Sequence, residues 1–337
     1  MKRQRVRANG VKTVSLLLAA SLLVNTQGFP VFAQAVSENS ISGEVLLQDS
    51  VSDDNIQKQQ GFPASPVHHC TKMDDGTDYT DWDYVYFGSY PQSEVTDSAV
   101  IAAIEKAIAA SGILTDSGRD VWIDGTKYRR ISKKYTNQDG KFGTGNYRYF
   151  KWERIKWKVL EKNEDTLFVV ADKALDCKDY HDDGGNITWE DCTLRSWLNE
   201  KFYHTAFDGN EQSAIVPQDV VNEDNPQCNT EGGNDTNDKI FLLSIQEATN
   251  EAYGFCSDYF TNSVSRRVSA SDFAYVRGAM INSSENMDHC EWWLRSPGSN
   301  LLSAASVYMD GSVYDTGINI DYTDGGVRPA MWVLLRV

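Results

Sequence analysis

Asp179, His181, Asp183, Gly184 and Glu190 fall at the spacing of a calcium-binding loop, in which oxygen ligands alternate along a tight turn and converge on one hard cation. His181 stands where the pattern requires Asp or Asn, and an imidazole is a poor ligand for such an ion. Two readings follow: calcium held by Asp179, Asp183 and Glu190, a ligand the fold need not require, or an ordinary acidic surface loop. Cys177 and Cys192 flank the same loop and are the expected disulfide among six cysteines; free buried thiols are the alternative. His68-His69-Cys70 and His289-Cys290 carry zinc-ligand types without zinc-site spacing, and read as surface histidines.

Covalent and acid-base chemistry leaves little trace. The chain has no nucleophile elbow, no H-E-x-x-H helix and no P-loop, and Gly143-Thr144-Gly145-Asn146 lacks the third glycine of a dinucleotide fingerprint. With 48 Asp+Glu, two carboxylates could still meet as a glycosidase pair. A different pattern marks recognition. Trp292 to Gly298 and Gly325 to Val333 are aromatic-rich anchors around Ser299 to Asp324, a stretch of Asn, Ser, Tyr, Asp, Thr and Gly. That mix suits an adaptable binding loop, where Tyr supplies contact area and Ser, Asn and Gly supply hydrogen bonds.

The elements that must hold these residues follow from periodicity. Ser98 to Ala110 reads as a helix, as does Thr193 to Phe207 with Thr193 as N-cap, and Ser244 and Glu247 form a capping box before a helix reaching about Tyr253. Strands are expected at Asp81 to Tyr90, Tyr128 to Ile131, Ile155 to Leu160 and Thr166 to Val170. Trp152, Trp157, Trp197 and Trp332 are assigned to the core. Asp310-Gly311 predicts a hairpin turn, and the alternation around it points Ala305, Val307 and Met309 inward and Ser306, Tyr308 and Asp310 outward. Absent regular βαβ spacing, the fold class is α+β: one domain of mostly antiparallel short strands over residues 79–337.

Residues 1–35 carry a secretory signal. Lys2, Arg3, Arg5, Arg7 and Lys12 precede the apolar run Val14 to Val24, which is too short to span a membrane, and Ala33-Gln34-Ala35 supplies small residues for cleavage. Residues 36–78 read as a linker or disordered arm. The signal holds five bases and no acids, so its removal leaves 27 bases against 48 acids, a net charge of −21. Such a chain is expected to be secreted or held at the cell surface, without nucleic acid as partner and without membrane insertion.

Five blocks carry a resemblance: Tyr86 to Gln92, Thr188 to Asn199, Asn234 to Ser244, Trp293 to Gly298 and Gly326 to Ala330. They resemble a bacterial exported family classed as domain of unknown function 6273, over essentially the whole compact part. The ending also resembles C-type-lectin-like folds, including the formylglycine-generating-enzyme type and the variable proteins of diversity-generating retroelements. That likeness implies ligand-binding positions at Asn300, Leu301, Ser303, Ser306, Tyr308, Asp310, Ser312, Tyr314, Asp315, Thr316, Asn319, Asp321 and Tyr322. It implies structural anchors at Trp293, Arg295, Arg328 and Trp332, while the cysteines of the enzyme branch have no counterpart beyond Cys290. The expected function is a lectin-like module that binds protein or glycan without catalysis; the alternatives are a secreted hydrolase acting on cell-wall or dietary glycans, and a structural module of a wall assembly.

Overall fold

The computed structural model describes residues 68–72, 78–82, 84–111, 119–133, 136, 145–281 and 289–335, all within one unit, Ser50–Val337. The signal, most of the arm and the Gly143-Thr144 part of the glycine run lie outside the described residues. Among the described residues no helix is long and apolar enough to cross a membrane.

Two sheets dominate a mixed α/β fold with few helices. After the hairpin of β1 (His68–Lys72) and β2 (Asp78–Trp82) comes a seven-stranded antiparallel sheet: β3 (Val85–Glu94), β4 (Arg119–Ile123), β5 (Thr126–Ser132), β6 (Tyr147–Lys162), β7 (Thr166–Ala171), β9 (Ile215–Val216) and β16 (Ala330–Leu334). Its path is β4-β5-β6-β7-β16-β9, with β3 also on β6. The five-stranded sheet runs β14 (Val313–Asn319), β13 (Ser303–Val307), β12 (Trp292–Pro297), β15 (Gly326–Val327) and β8 (Asp176–Cys177). Only its β12–β15 pair is parallel. A short hairpin, β10 (Gln218–Val220) with β11 (Thr236–Asp238), stands apart from both sheets.

Sequence pattern explains the long elements. In β6 Phe150, Trp152, Ile155, Trp157 and Val159 are buried, so a sixteen-residue strand can pair β3 on one side and β5 then β7 on the other. The helix Ser98–Ala110 is capped by Asp97, which accepts from the amides of Ala99 and Val100, and packs Ile104 and Ile108 against Val121. The strand expected at Asp81 to Tyr90 is instead split between β2 and β3, and β3 runs through Pro91 by a register shift. Trp152 and Trp157 are buried, whereas Trp197 and Trp332 are half-buried at the core margin.

Two helix expectations need revision. Thr193 is the first helical residue rather than the cap: Cys192 Sγ accepts from the Arg195 amide, and a π-type turn at Leu198–Phe202 lies between helical segments Thr193–Trp197 and Tyr203–Ala206. The Ser244–Glu247 capping box is present, but its helix spans only Ile245–Ala248; a separate turn, Glu251–Tyr253, ends at Gly254 with φ +76°.

Arg266 ties the 256–261 loop to the β13–β14 turn. Fully buried, it donates Nε to Gly311 O at 2.6 Å, Nη2 to Asp258 O at 2.7 Å and Thr261 O at 2.9 Å, and Nη1 to Cys256 O. Arg266→Met should cost about 3 kcal/mol or more in urea unfolding, because four carbonyls, that of Gly311 buried and the others partly so, lose their donor together, and Arg266→Lys should recover little of it. A loss below about 1 kcal/mol would show that this loop satisfies its carbonyls some other way.

Candidate functional site

The polar segment 299–324 is mounted on β12, whose flanking side chains are fixed from both ends. Trp292 and Trp293 are fully buried, with indole N–H groups donating to Arg266 O at 3.2 Å and Lys178 O at 2.8 Å. Gly325 is required beside them, since a Cβ there would lie 2.0 Å from Trp293 Nε1. Arg295 donates to Leu242 O at 2.8 Å and Val221 O at 3.1 Å and pairs with Glu247. Arg328 donates to Ala171 O at 2.8 Å and lies over the Trp292 ring at 4.7 Å; burial lowers it to about 10, which leaves it protonated at neutral pH. Trp332 stacks on Phe168 with ring centroids 5.2 Å apart.

Two further segments close on this base. The 178–193 loop hydrogen-bonds it through Lys178 N to Gly325 O, His181 N to Ile320 O and Ile187 N to Leu301 O, while Tyr180 packs on Trp293 at 5.6 Å. Asn225, fully buried, donates its amide to Pro297 O and Asp315 O, each at 2.8 Å, and to Gly298 O at 3.3 Å. The acidic loop and the polar segment, separated by more than a hundred residues, therefore share one surface, on which burial, Asp182 and Asp321 raise the Asp179 carboxyl.

The thirteen expected binding positions divide by exposure. Asn300, Tyr308, Tyr314, Thr316, Asn319, Asp321 and Tyr322 are exposed; Leu301, Asp310 and Ser312 are half-buried; Ser303, Ser306 and Asp315 are buried. The hairpin at Asp310-Gly311 forms as expected, with Tyr308 N donating to Ser312 O at 2.8 Å, Asp310 Oδ1 accepting from Ser312 N, and Gly311 at φ +86°. The outward Ser306 does not. It lies on β13 between β12 and β14, opposite both Trp293 and Tyr314, and its hydroxyl donates to Glu291 Oε1 at 2.6 Å. Both faces of β13 are covered, so simple alternation does not apply.

The chemistry expected of the 177–192 loop also changes. Cys177 and Cys192 are free buried thiols: Cys177 Sγ donates to Thr323 O, and Cys192 Sγ serves as the helix cap. Asp179, Asp183 and Glu190 do not assemble, Glu190 instead accepting from Asn234 Nδ2 at 2.8 Å. Among the described residues no group of three His, Cys, Asp or Glu could hold a metal ion.

Glu291 escaped notice in the sequence, although its place directly before the aromatic-rich segment from Trp292 was a usable signal. It is 3% exposed. Burial raises its carboxyl, Ser306 counteracts this, and the charge of Asp324 raises it further. Tyr322 is raised by Asp324 first, then by burial, with Glu291 and Tyr308 adding to it, so these four groups form one cluster at the edge of the exposed surface. The folded state holds the Glu291 proton more tightly than the unfolded chain. Stability from this group is therefore complete below the ordinary glutamate range and is lost as pH rises through the raised value. Glu291→Gln keeps an acceptor for Ser306 and cannot ionise, so its stability relative to the native chain should rise in urea titrations as pH climbs above the ordinary glutamate range. A difference that is flat with pH would mean that the carboxyl titrates normally.

No curated protein and no solved structure matches the chain. A family model described as Domain of unknown function (DUF6273) matches residues 164–335. It takes in the blocks from Thr188 to Ala330 and leaves Tyr86 to Gln92 outside. Half of the chain is covered, including β12 to β16, the 178–193 loop and the Glu291 cluster, and the chain belongs to that family.

Proposed function

We propose that this protein is an exported or surface-held binding module that captures protein or glycan ligands through the 299–324 surface without catalysis, on a C-type-lectin-like scaffold. One observation carries the reading: Tyr308, Tyr314 and Tyr322 are 42%, 46% and 40% exposed on a segment whose backbone is clamped from beneath. A tyrosine presented on a fixed backbone loses little conformational freedom on binding, and its ring and hydroxyl serve apolar and polar partners alike. Asn300, Thr316, Asn319 and Asp321 are exposed on the same segment and would supply hydrogen bonds. The sequence pattern of residues 1–35 supports export, and the resemblance to retroelement variable proteins fits a segment whose exposed side chains can change without disturbing its base.

Glu291 supports a second reading, a glycan hydrolase. A carboxyl raised by burial and by the neighbouring Asp324 is the environment of a general acid with a second carboxyl nearby.

Replacing Tyr308, Tyr314 and Tyr322 together by Ala should abolish capture on an array of glycans and surface proteins while changing the unfolding free energy by no more than about 1 kcal/mol. Unchanged capture would remove the binding reading, and a large stability loss would assign the tyrosines to the core. Turnover of any arrayed glycan that Glu291→Gln abolishes would favour the hydrolase instead.

A further inference from the structure

Segment 251–265 carries the two most exposed large apolar side chains among the described residues, Phe260 at 70% and Val264 at 76%. Their backbone is nonetheless fixed. Arg266 donates to Asp258 O and Thr261 O, while the Asp258 carboxylate accepts from Phe260 N at 3.0 Å and from Thr261 Oγ1 at 2.6 Å. The segment is also seated on the hairpin of the 299–324 surface. Val313 N donates to Tyr259 O at 2.8 Å, Arg267 Nε donates to Asp310 O at 2.9 Å, and a Cβ on Gly311 would lie 2.0 Å from Ser263 O. Phe260 and Val264 therefore reach solvent from a pinned loop that adjoins the hairpin of Tyr308 and Tyr314.

Neither side chain carries a hydrogen-bonding group, so apolar contact is what each can offer a partner. A loop already held in place needs no ordering to give that contact. The surrounding charge states what else the partner must bring. Segments 251–265 and 299–324 hold six acids, Glu251, Asp258, Asp310, Asp315, Asp321 and Asp324, and no Lys, Arg or His. The next base along the chain, Arg266, is buried with its nitrogens spent on carbonyls, and Arg267 is half-buried on Asp310 O. Hydrogen bonds from Thr261 and the Phe260 amide hold the Asp258 carboxyl below the usual carboxylate range, so it is charged beside the apolar pair. A second copy of this chain would set these acids against themselves, and an anionic lipid surface would be repelled. A valine tip offers a glycan neither a ring to stack on nor a hydrogen bond. Resting on the 299–324 reading, we infer that its ligand is a protein that presents apolar side chains within a basic patch, and that Phe260 and Val264 extend the contact surface beyond the tyrosines.

The probe is a short amphipathic peptide of Leu and Lys, titrated against the full chain by fluorescence anisotropy. Beside it stand a Ser/Lys peptide of equal charge, a Leu/Glu peptide of equal apolar content and phosphatidylcholine vesicles. The Leu/Lys peptide should bind saturably and about tenfold tighter than either other peptide, and its affinity should fall as salt is raised. Phe260→Ser combined with Val264→Ser should weaken it about tenfold without moving the urea midpoint, because these side chains add little to the core. If the Tyr308, Tyr314 and Tyr322 triple alanine variant loses the peptide while the double serine variant binds as the native chain does, the 299–324 reading stands and this inference falls. Loss in the double serine variant alone would instead remove the 299–324 reading and leave the 251–265 loop as the protein-binding site. No saturable binding of the Leu/Lys peptide, equal binding of the Ser/Lys peptide, or vesicle binding or self-association that the double serine variant abolishes would overturn the inference.

Discussion

Irregular backbone can be buried only if something donates to its carbonyls, and this domain depends on buried side-chain donors to do so. Arg266 bonds four carbonyls, Asn225 three, and Arg295 two together with Glu247. Each grips segments distant in sequence, and all three act on loops around the five-stranded sheet, where neither helix nor ladder supplies the bonds. A planar guanidinium or amide enforces direction as well as proximity, which a point charge would not. The 299–324 segment owes its fixed base to this arrangement.

Local signals were legible where one periodicity or one turn decides the structure. Ser98 to Ala110, the Ser244–Glu247 cap and the Asp310-Gly311 hairpin are all such cases, and all are present. Signals failed where a second layer intervenes. Ser306 reads as outward because alternation assumes one covered face, but Glu291 and the neighbouring strands cover it. The calcium spacing along 179–190 records intervals in sequence, while the actual path of that loop is set by its bonds to Ile320, Leu301 and Thr193, which spread the carboxylates. Cys177 and Cys192 are near in sequence, yet one sits on β8 and the other caps a helix. Asn225 has no local signature at all, since its three acceptors lie 72, 73 and 90 residues away.

Exposed tyrosines above a clamped backbone can exchange side chains with little effect on folding, because their contribution to the core is small. Arg295 is the opposite case: it helps hold the Glu247 cap and the Val221 segment, so its place is constrained by folding itself. Glu291, directly before β12, is a buried acid.

The two sheets are completed by adjacent pieces of chain. β15 fills the gap between β12 and β8, and β16 the gap between β7 and β9, with only Arg328 and Pro329 separating them. During synthesis, both sheets therefore stand with an open seam until residues 326–334 have emerged, with Val169 and Trp292 among the apolar side chains awaiting partners. The nascent domain then closes both sheets nearly at once, so its vulnerability to mispairing is concentrated in the interval before residues 326–334 arrive.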